Sequence, residues 1–319
     1  MLANLSVIMV MIFVLFFGRT EGFAFDINAL ILKDIKGDGT LLDLRNSGVI
    51  SDMGIRELAK SRLLRKVKHL NLKAHEIGNE GAIALAESKY LKNLEVINLN
   101  QNRIGSEGAR ALASSENFKN LRVLKLWESS IGPEGVEALA HSEKLSNLES
   151  LDLTGNGIGQ EGIKAIAESV YFKHLKELKV GKNNLGREGM RHLSKSHHLP
   201  ALTDLEVHDN QIGPEGVRWI GKAVFLKKLQ RLNLKKNRMG NTGIQILSRF
   251  PVLQDLSELD LQWNEIGEEG AVEFSKSKAF PNLVNLELWG NNIGEEGARS
   301  IRESENLSKI KNPIYSSSQ

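Results

Sequence analysis

Apolar residues recur along this chain with two interleaved spacings, and both restart every twenty-seven residues. The segment Leu148 to His174, LESLDLTGNGIGQEGIKAIAESVYFKH, shows one complete cycle. Around Leu151 and Leu153 apolar and polar positions alternate, with Ser150, Asp152 and Thr154 on the opposite side, which is the period of a half-buried strand. Ile163 and Ile166 then stand three apart, the spacing of one helix face, and the pair recurs as Ala109 and Leu112, Val136 and Leu139, and Val217 and Ile220. The leading apolar position falls on Val67, Leu94, Leu121, Leu148, Leu175, Leu202, Leu229, Leu256 and Leu283. A looser tenth copy, one residue longer, precedes these around Leu42 and Leu44. A strict period of this size predicts a solenoid of strand, turn and helix units, each burying its apolar face against its neighbours.

Three fixed columns sharpen the unit. Asn156 has counterparts at Asn102, Asn183, Asn210, Asn237, Asn264 and Asn291, which predicts a ladder of buried amides bonded to the backbone of neighbouring coils. His75 and Ser129 interrupt that column and are expected to weaken it locally. Two complete glycine columns follow, Gly78 to Gly294 and Gly81 to Gly297, and imply either an unusual backbone geometry or a close approach. A glutamate column that includes Glu107, Glu134, Glu161 and Glu188 sits where each helix begins, with Pro133 and Pro214 just ahead of it in two units. Acids and proline suit a first helical turn, so this row is read as a helix-start device and not as a metal site. A last apolar column, from Leu91 and Phe118 to Phe280 and Leu307, closes each coil onto the next strand.

The unit LxxLxLxxNxIGxEGxxxLxxSxxLxN resembles the leucine-rich repeat, in the version with an outer helix typified by ribonuclease inhibitor, over residues 39–309. The resemblance implies an α/β fold: a curved horseshoe of about ten 27-residue repeats, with a parallel sheet on the concave face and helices on the convex face. It implies protein binding as the commonest role, and the IGxEG turn is most like bacterial members. The cysteine-rich caps usual in animal extracellular relatives are missing from the sequence, which has no cysteine at all.

Composition adds boundaries. With 319 residues, 41% hydrophobic and 25% charged, the chain is ordinary globular material, and the repeat makes it one domain. A formal charge of +3 with basic residues spread through every unit gives no reason to expect nucleic acid. Without cysteine there is no disulfide framework and no thiolate metal site, and no cofactor is expected.

Residues 1–17 carry no charged side chain, and Val7 to Phe17 is an apolar run of eleven that ends at Gly18 and Arg19. The run is short for a bilayer span, and Gly22-Phe23-Ala24 offers small residues at the positions a signal peptidase inspects. Residues 1–24 are therefore read as a secretory signal, with an uncleaved membrane anchor as the alternative, which places the protein in the secreted or surface fraction. Residues 25–38, with Ile27, Leu30, Ile31 and Ile35, form an expected cap, and 310–319 a tail in which Ile310, Ile314 and Tyr315 fold over the last core edge.

Candidate binding residues lie where the strands project away from the core. Trp127, Trp263 and Trp289 fall there, as do His208, Lys235 and Lys236, whereas Trp219 lies on a helix and reads as packing. Tryptophan is enriched in binding hot spots. Glu258, Asp260 and Glu287 are expected as an acidic rim around the floor made by Trp263 and Trp289, with Arg231, Lys235 and Lys236 one coil earlier. That surface would suit a protein segment with a basic or amphipathic anchor, bound by a monomer.

No nucleophile, phosphate-loop or zinc-protease motif is present, and His197 and His198 read as solvated surface, so the expectation is a non-catalytic module. Two alternatives are a bacterial effector acting on a host protein and a GTPase-activating regulator, for which Arg45 on the first strand is the candidate arginine.

Overall fold

A computed structural model of the protein describes residues 26–311. The expected leader, Phe25, and Ile314 and Tyr315 of the tail lie outside them. The described chain opens with helix α1 (Ile27–Asp34) and a two-residue strand β1 (Ile35–Lys36). Ten three-residue strands follow, β2 to β11: Leu41–Asp43, His69–Asn71, Val96–Asn98, Val123–Lys125, Ser150–Asp152, Glu177–Lys179, Asp204–Glu206, Arg231–Asn233, Glu258–Asp260 and Asn285–Glu287. Each is followed by a helix, from α2 (Ser51–Ala59) to α11 (Gly294–Arg302), and these include α6 (Gly159–Glu168), α7 (Gly186–Ser194), α8 (Gly213–Ile220) and α9 (Gly240–Leu247).

The strands form one open sheet in chain order, every neighbour parallel except β1, which runs antiparallel to β2. Register follows the sequence period: Leu151 pairs with Leu124 on one side and Leu178 on the other. The extra residue of the first unit is absorbed before β3, where Leu42 pairs with Leu70. In each of β2 to β11 the middle residue is buried and its two neighbours are at least partly exposed, except Asp204 of β8, which is buried. Neighbouring strands lie about 4.8 Å apart and packed helices 8–10 Å apart, so a common step per repeat bends the stack with the sheet on the inner side.

The core is continuous. Leucine, isoleucine and phenylalanine from every coil, among them Phe118, Leu151, Ile163, Phe172 and Phe280, are fully buried in one cluster. The asparagine ladder runs through it. Asn183 donates to the carbonyls of Leu153 and Gly181 and accepts from the backbone amides of Asn156 and Ile158. Asn210 and Asn237 repeat the pattern one and two coils on. A second ladder, unassigned by the sequence reading, is made by serines: the Ser115, Ser169 and Ser277 hydroxyls donate to Ala86, Ala140 and Ser248 carbonyls of the preceding coil.

The two glycine columns have different causes. In the second, a Cβ on Gly162 would sit 2.7 Å from Ile158, so the helix can start only where no side chain intervenes. The first is left-handed, as at Gly159 (φ +58°), except at Gly78 and Gly267. There the backbone is extended and the glycine amides donate to Asp52 and Asn241 of the coil before.

At the amino-terminal end, Ile27 and Ile31 of α1 are buried over the first coil, and the Asp26 carboxylate caps the helix. At the other end Ile310 packs on the core and the Lys311 amide donates to the Val284 carbonyl. Arg45, expected on the first strand, lies in the turn after it and is ion-paired with Asp43 at 2.9 Å.

Candidate protein-binding surface

Because only the middle residue of each strand points into the core, the first and third residues form two solvent-facing columns. Over β7 to β11 these are Glu177, Asp204, Arg231, Glu258 and Asn285, then Lys179, Glu206, Asn233, Asp260 and Glu287. Together they line a depression of about 400 Å³. It holds six carboxylates and two cations, and both cations are already engaged. The Lys179 ammonium bonds Glu206 at 2.8 Å and Glu177 at 3.1 Å, and Arg231 pairs with the nearly buried Asp204. Burial works against the Lys179 charge, yet these two carboxylates push its pKa up to about 12.

Glu258, Asp260 and Glu287 have no basic partner within ion-pair distance among the described residues. Asp260 accepts from the Gln262 backbone amide at 2.9 Å, and the Gln262 side chain donates to Glu287 at 3.3 Å. Burial pushes the Asp260 carboxyl above its ordinary value, and the charges of Glu287 and Glu206 add to this against the pull of the Gln262 amide and Lys235. The depression thus carries excess negative charge in a partly desolvated place, where a cation would relieve it.

Neither Trp263 nor Trp289 is among the residues that line this depression, which the acids, Lys179 and Arg231 line instead. Trp263 occupies the left-handed region at φ 54°, costly for a bulky residue, and is 42% exposed. Its ring lies across Gly290 of the next coil, in the space a Cβ there would need. Trp289 meets it edge to face, with centroids 4.6 Å apart and planes at 89°. The pair is therefore preformed, and the Trp263 amide donates to the Trp289 carbonyl at 3.0 Å.

Of the other expected residues, Lys235 is half-exposed and Lys236 exposed in the turns beside the pair, and Arg231 reaches the basin itself. Trp127 is not brought to the site. It belongs to the coil of β5, six strands from β11 and so roughly 29 Å away at 4.8 Å per strand, with Lys73 over its ring at 5.4 Å. His208 is not an outward anchor either. Its ring fills the space above Gly181, burial pushes its pKa down, and Nδ1 has no hydrogen-bond partner, with Glu206 at 3.9 Å. Glu177, Lys179, Asp204 and Glu206 were missed as site residues. The strand's first and third positions, read as two columns, would have found them.

A family model described as Leucine Rich repeat matches residues 64–86, 90–113, 144–167, 173–194, 198–220, 225–248 and 252–275. The chain belongs to the leucine-rich repeat family. No curated protein matches the sequence. Among solved structures, internalin InlF from Listeria monocytogenes str. 4b F2365 is 22% identical, with 90% of this chain and 88% of that chain covered and a TM-score of 0.48. A chain of the yeast Rad7 and Elc1 complex is 16% identical over 92% of this chain and 83% of its own, with a TM-score of 0.54. A chain of the TLR13–ssRNA13 complex is 22% identical over 80% of this chain and 33% of its own, with a TM-score of 0.52. At these identities the last two likenesses speak for the fold alone.

Proposed function

We propose that this protein is a non-catalytic binding module that takes a cationic segment of a partner protein into the depression on β7 to β11, with Trp263 and Trp289 as the apolar anchor beside it. One observation carries this reading: Glu258, Asp260 and Glu287 stand on adjacent strands without a basic partner among the described residues, and Asp260 is half-buried with its carboxyl pushed upward. A Lys or Arg side chain entering there gains charge-assisted hydrogen bonds in a partly desolvated site. The aromatic pair, already ordered, adds apolar area at little entropic cost.

The test is a peptide array of basic, neutral and acidic segments probed with the purified protein and with two variants, Asp260→Asn/Glu287→Gln and Trp263→Ala/Trp289→Ala. Basic peptides are expected to bind, and each variant to weaken binding about tenfold or more. Binding unchanged in both variants would sink the proposal.

Export belongs to the same proposal. The leader read in residues 1–24 supports a secreted or surface-held protein, and the repeat is read as ribonuclease-inhibitor-like and bacterial-looking. A mature chain beginning at Phe25 outside the cytoplasm is the expected result of amino-terminal sequencing. An intact soluble chain would reopen a cytosolic role.

A further inference from the structure

The loops that join each helix to the next strand all lie on one flank of the stack, because equivalent residues of successive coils bond to one another. The Thr203 amide donates to Lys176, Gln230 to Thr203 and Ser257 to Gln230, in unbroken sequence. In the first half of the chain ion pairs join successive coils on this flank, beside exposed cations with no carboxylate within ion-pair distance among the described residues, such as Arg62, Arg65 and Lys66. Lys119 and Lys144 share Glu116, Lys68 pairs with Glu95, and Arg122 and Lys176 share Glu149.

The second half departs from this. Residues 195–203 (KSHHLPALT) and 221–230 (GKAVFLKKLQ) contain no acid, and they carry Lys195, His197, His198, Lys222, Lys227 and Lys228, with Arg249 following one coil on. All seven are exposed, and none lies within ion-pair distance of a carboxylate among the described residues. Helix ends explain part of the row. Lys195 caps the carboxy-terminal end of α7, and Lys222 and Arg249 follow the ends of α8 and α9, where a cation offsets the negative helix terminus. Lys227 and Lys228 close the short 3-10 turn Val224–Lys228, and the histidine pair lies past the end of α7.

Two aliphatic side chains project from this flank: Val224, 59% exposed, from the second of these loops, and Val170, 57% exposed, from the loop one coil before the first, where burial would be the rule. Two of the aromatic groups nearby are committed inward. Trp219 packs on the core beneath the Lys222 ammonium, and Phe250 lies over Gly221, so neither is free to stack on a base. Cations set level by the repeat without a carboxylate partner among the described residues, with exposed valines beside them, are complementary to a flat anionic surface with an apolar interior. We infer that this flank, from the coil of β6 to that of β9, docks on an anionic phospholipid membrane. That leaves the sheet face open to a protein partner, and the inference is independent of how the sheet face is used.

The experiment is vesicle co-sedimentation of the full-length protein and of Lys222→Glu/Lys227→Glu/Lys228→Glu, on phosphatidylcholine vesicles with and without 30 mol% phosphatidylglycerol, about 30% being an ordinary anionic fraction. A thermal melt checks that the variant, altered only at exposed positions, remains folded. Expected is binding that needs the anionic lipid, falls with added salt, and is weaker on the order of a hundredfold in the triple variant. The apolar run Val7 to Phe17 would hold both vesicle types alike, so equal binding to the two overturns the inference. So does an unaffected triple variant, and so does a wild-type protein that binds heparin or DNA but neither vesicle.

Discussion

Two residues break the asparagine ladder, and they fail in different ways. Ser129 donates to the Leu99 carbonyl at 3.1 Å, but its hydroxyl does not serve the Asn102 and Ile104 amides as Asn156 serves those of Ser129 and Ile131. Ser129→Asn is expected to stabilise the fold by about 1 kcal/mol, the worth of a net hydrogen bond, as a higher urea midpoint at unchanged slope. The converse, Asn183→Ala, strips four buried backbone groups of their partner and is expected to cost about 3 kcal/mol. A midpoint unmoved by either substitution would show that the ladder does not hold the coils together. The columns themselves were legible in sequence, since a buried amide must repeat wherever the backbone it serves repeats. The pairing of the Trp263 ring with Gly290 was not, because it joins two unlike residues in successive coils.

At the scale of one coil, titration separates the buried His75 and the half-buried His208 from the rest. His75, in the asparagine column, has both ring nitrogens without a hydrogen-bond partner; burial pushes its pKa below the ordinary value, against the pull of the Leu44 and Gly48 carbonyls. Burial lowers His208 likewise. A histidine held neutral in the fold protonates more readily once unfolded. Its contribution to stability is therefore present above the unfolded value of about 6.5 and is lost as pH falls from there through the depressed folded value. Unfolding midpoints are expected to drop between pH 7 and pH 5, and His75→Asn, which restores the ladder amide, should flatten the drop. An equally steep fall in that variant would place the pH dependence elsewhere. Asp260 has the opposite sign. Its raised carboxyl favours the protonated form in the fold, so it opposes stability once ionised, and Asp260→Asn should stabilise the coil at neutral pH while weakening cation binding.

For the whole molecule, stability is a sum over coils and their interfaces, with no contact between distant repeats to lose. Deleting residues 148–174 joins Asn147 to Leu175 in register and should give a shorter protein that still melts cooperatively with native far-ultraviolet circular dichroism. Deleting only 148–160 puts a strand sequence where a helix must pack and should abolish that melt. If both deletions behaved alike, the repeat would not be the folding unit.

What the sequence determined by itself was everything periodic: the strand, turn and helix of each unit, the single continuous core, the asparagine column, and the helix-start prolines now found in the first turns of α8 and of the helix at Gly132–Ala140. Periodic features are local rules applied ten times, and repetition raises them above noise. Only the tertiary structure decided what the exceptions do. Trp127 and Trp263 occupy neighbouring columns, yet five strand steps separate them while Trp263 meets Trp289 across one coil step. His208 reads as an outward side chain, but the space over Gly181 takes it in. The acids form a basin because strand stacking brings Glu258, Asp260 and Glu287 side by side while fixing Lys179 and Arg231 on other carboxylates. Which charges remain unpaired depends on neighbours twenty-seven residues away, a relation set by the pitch of the stack and invisible within any one unit.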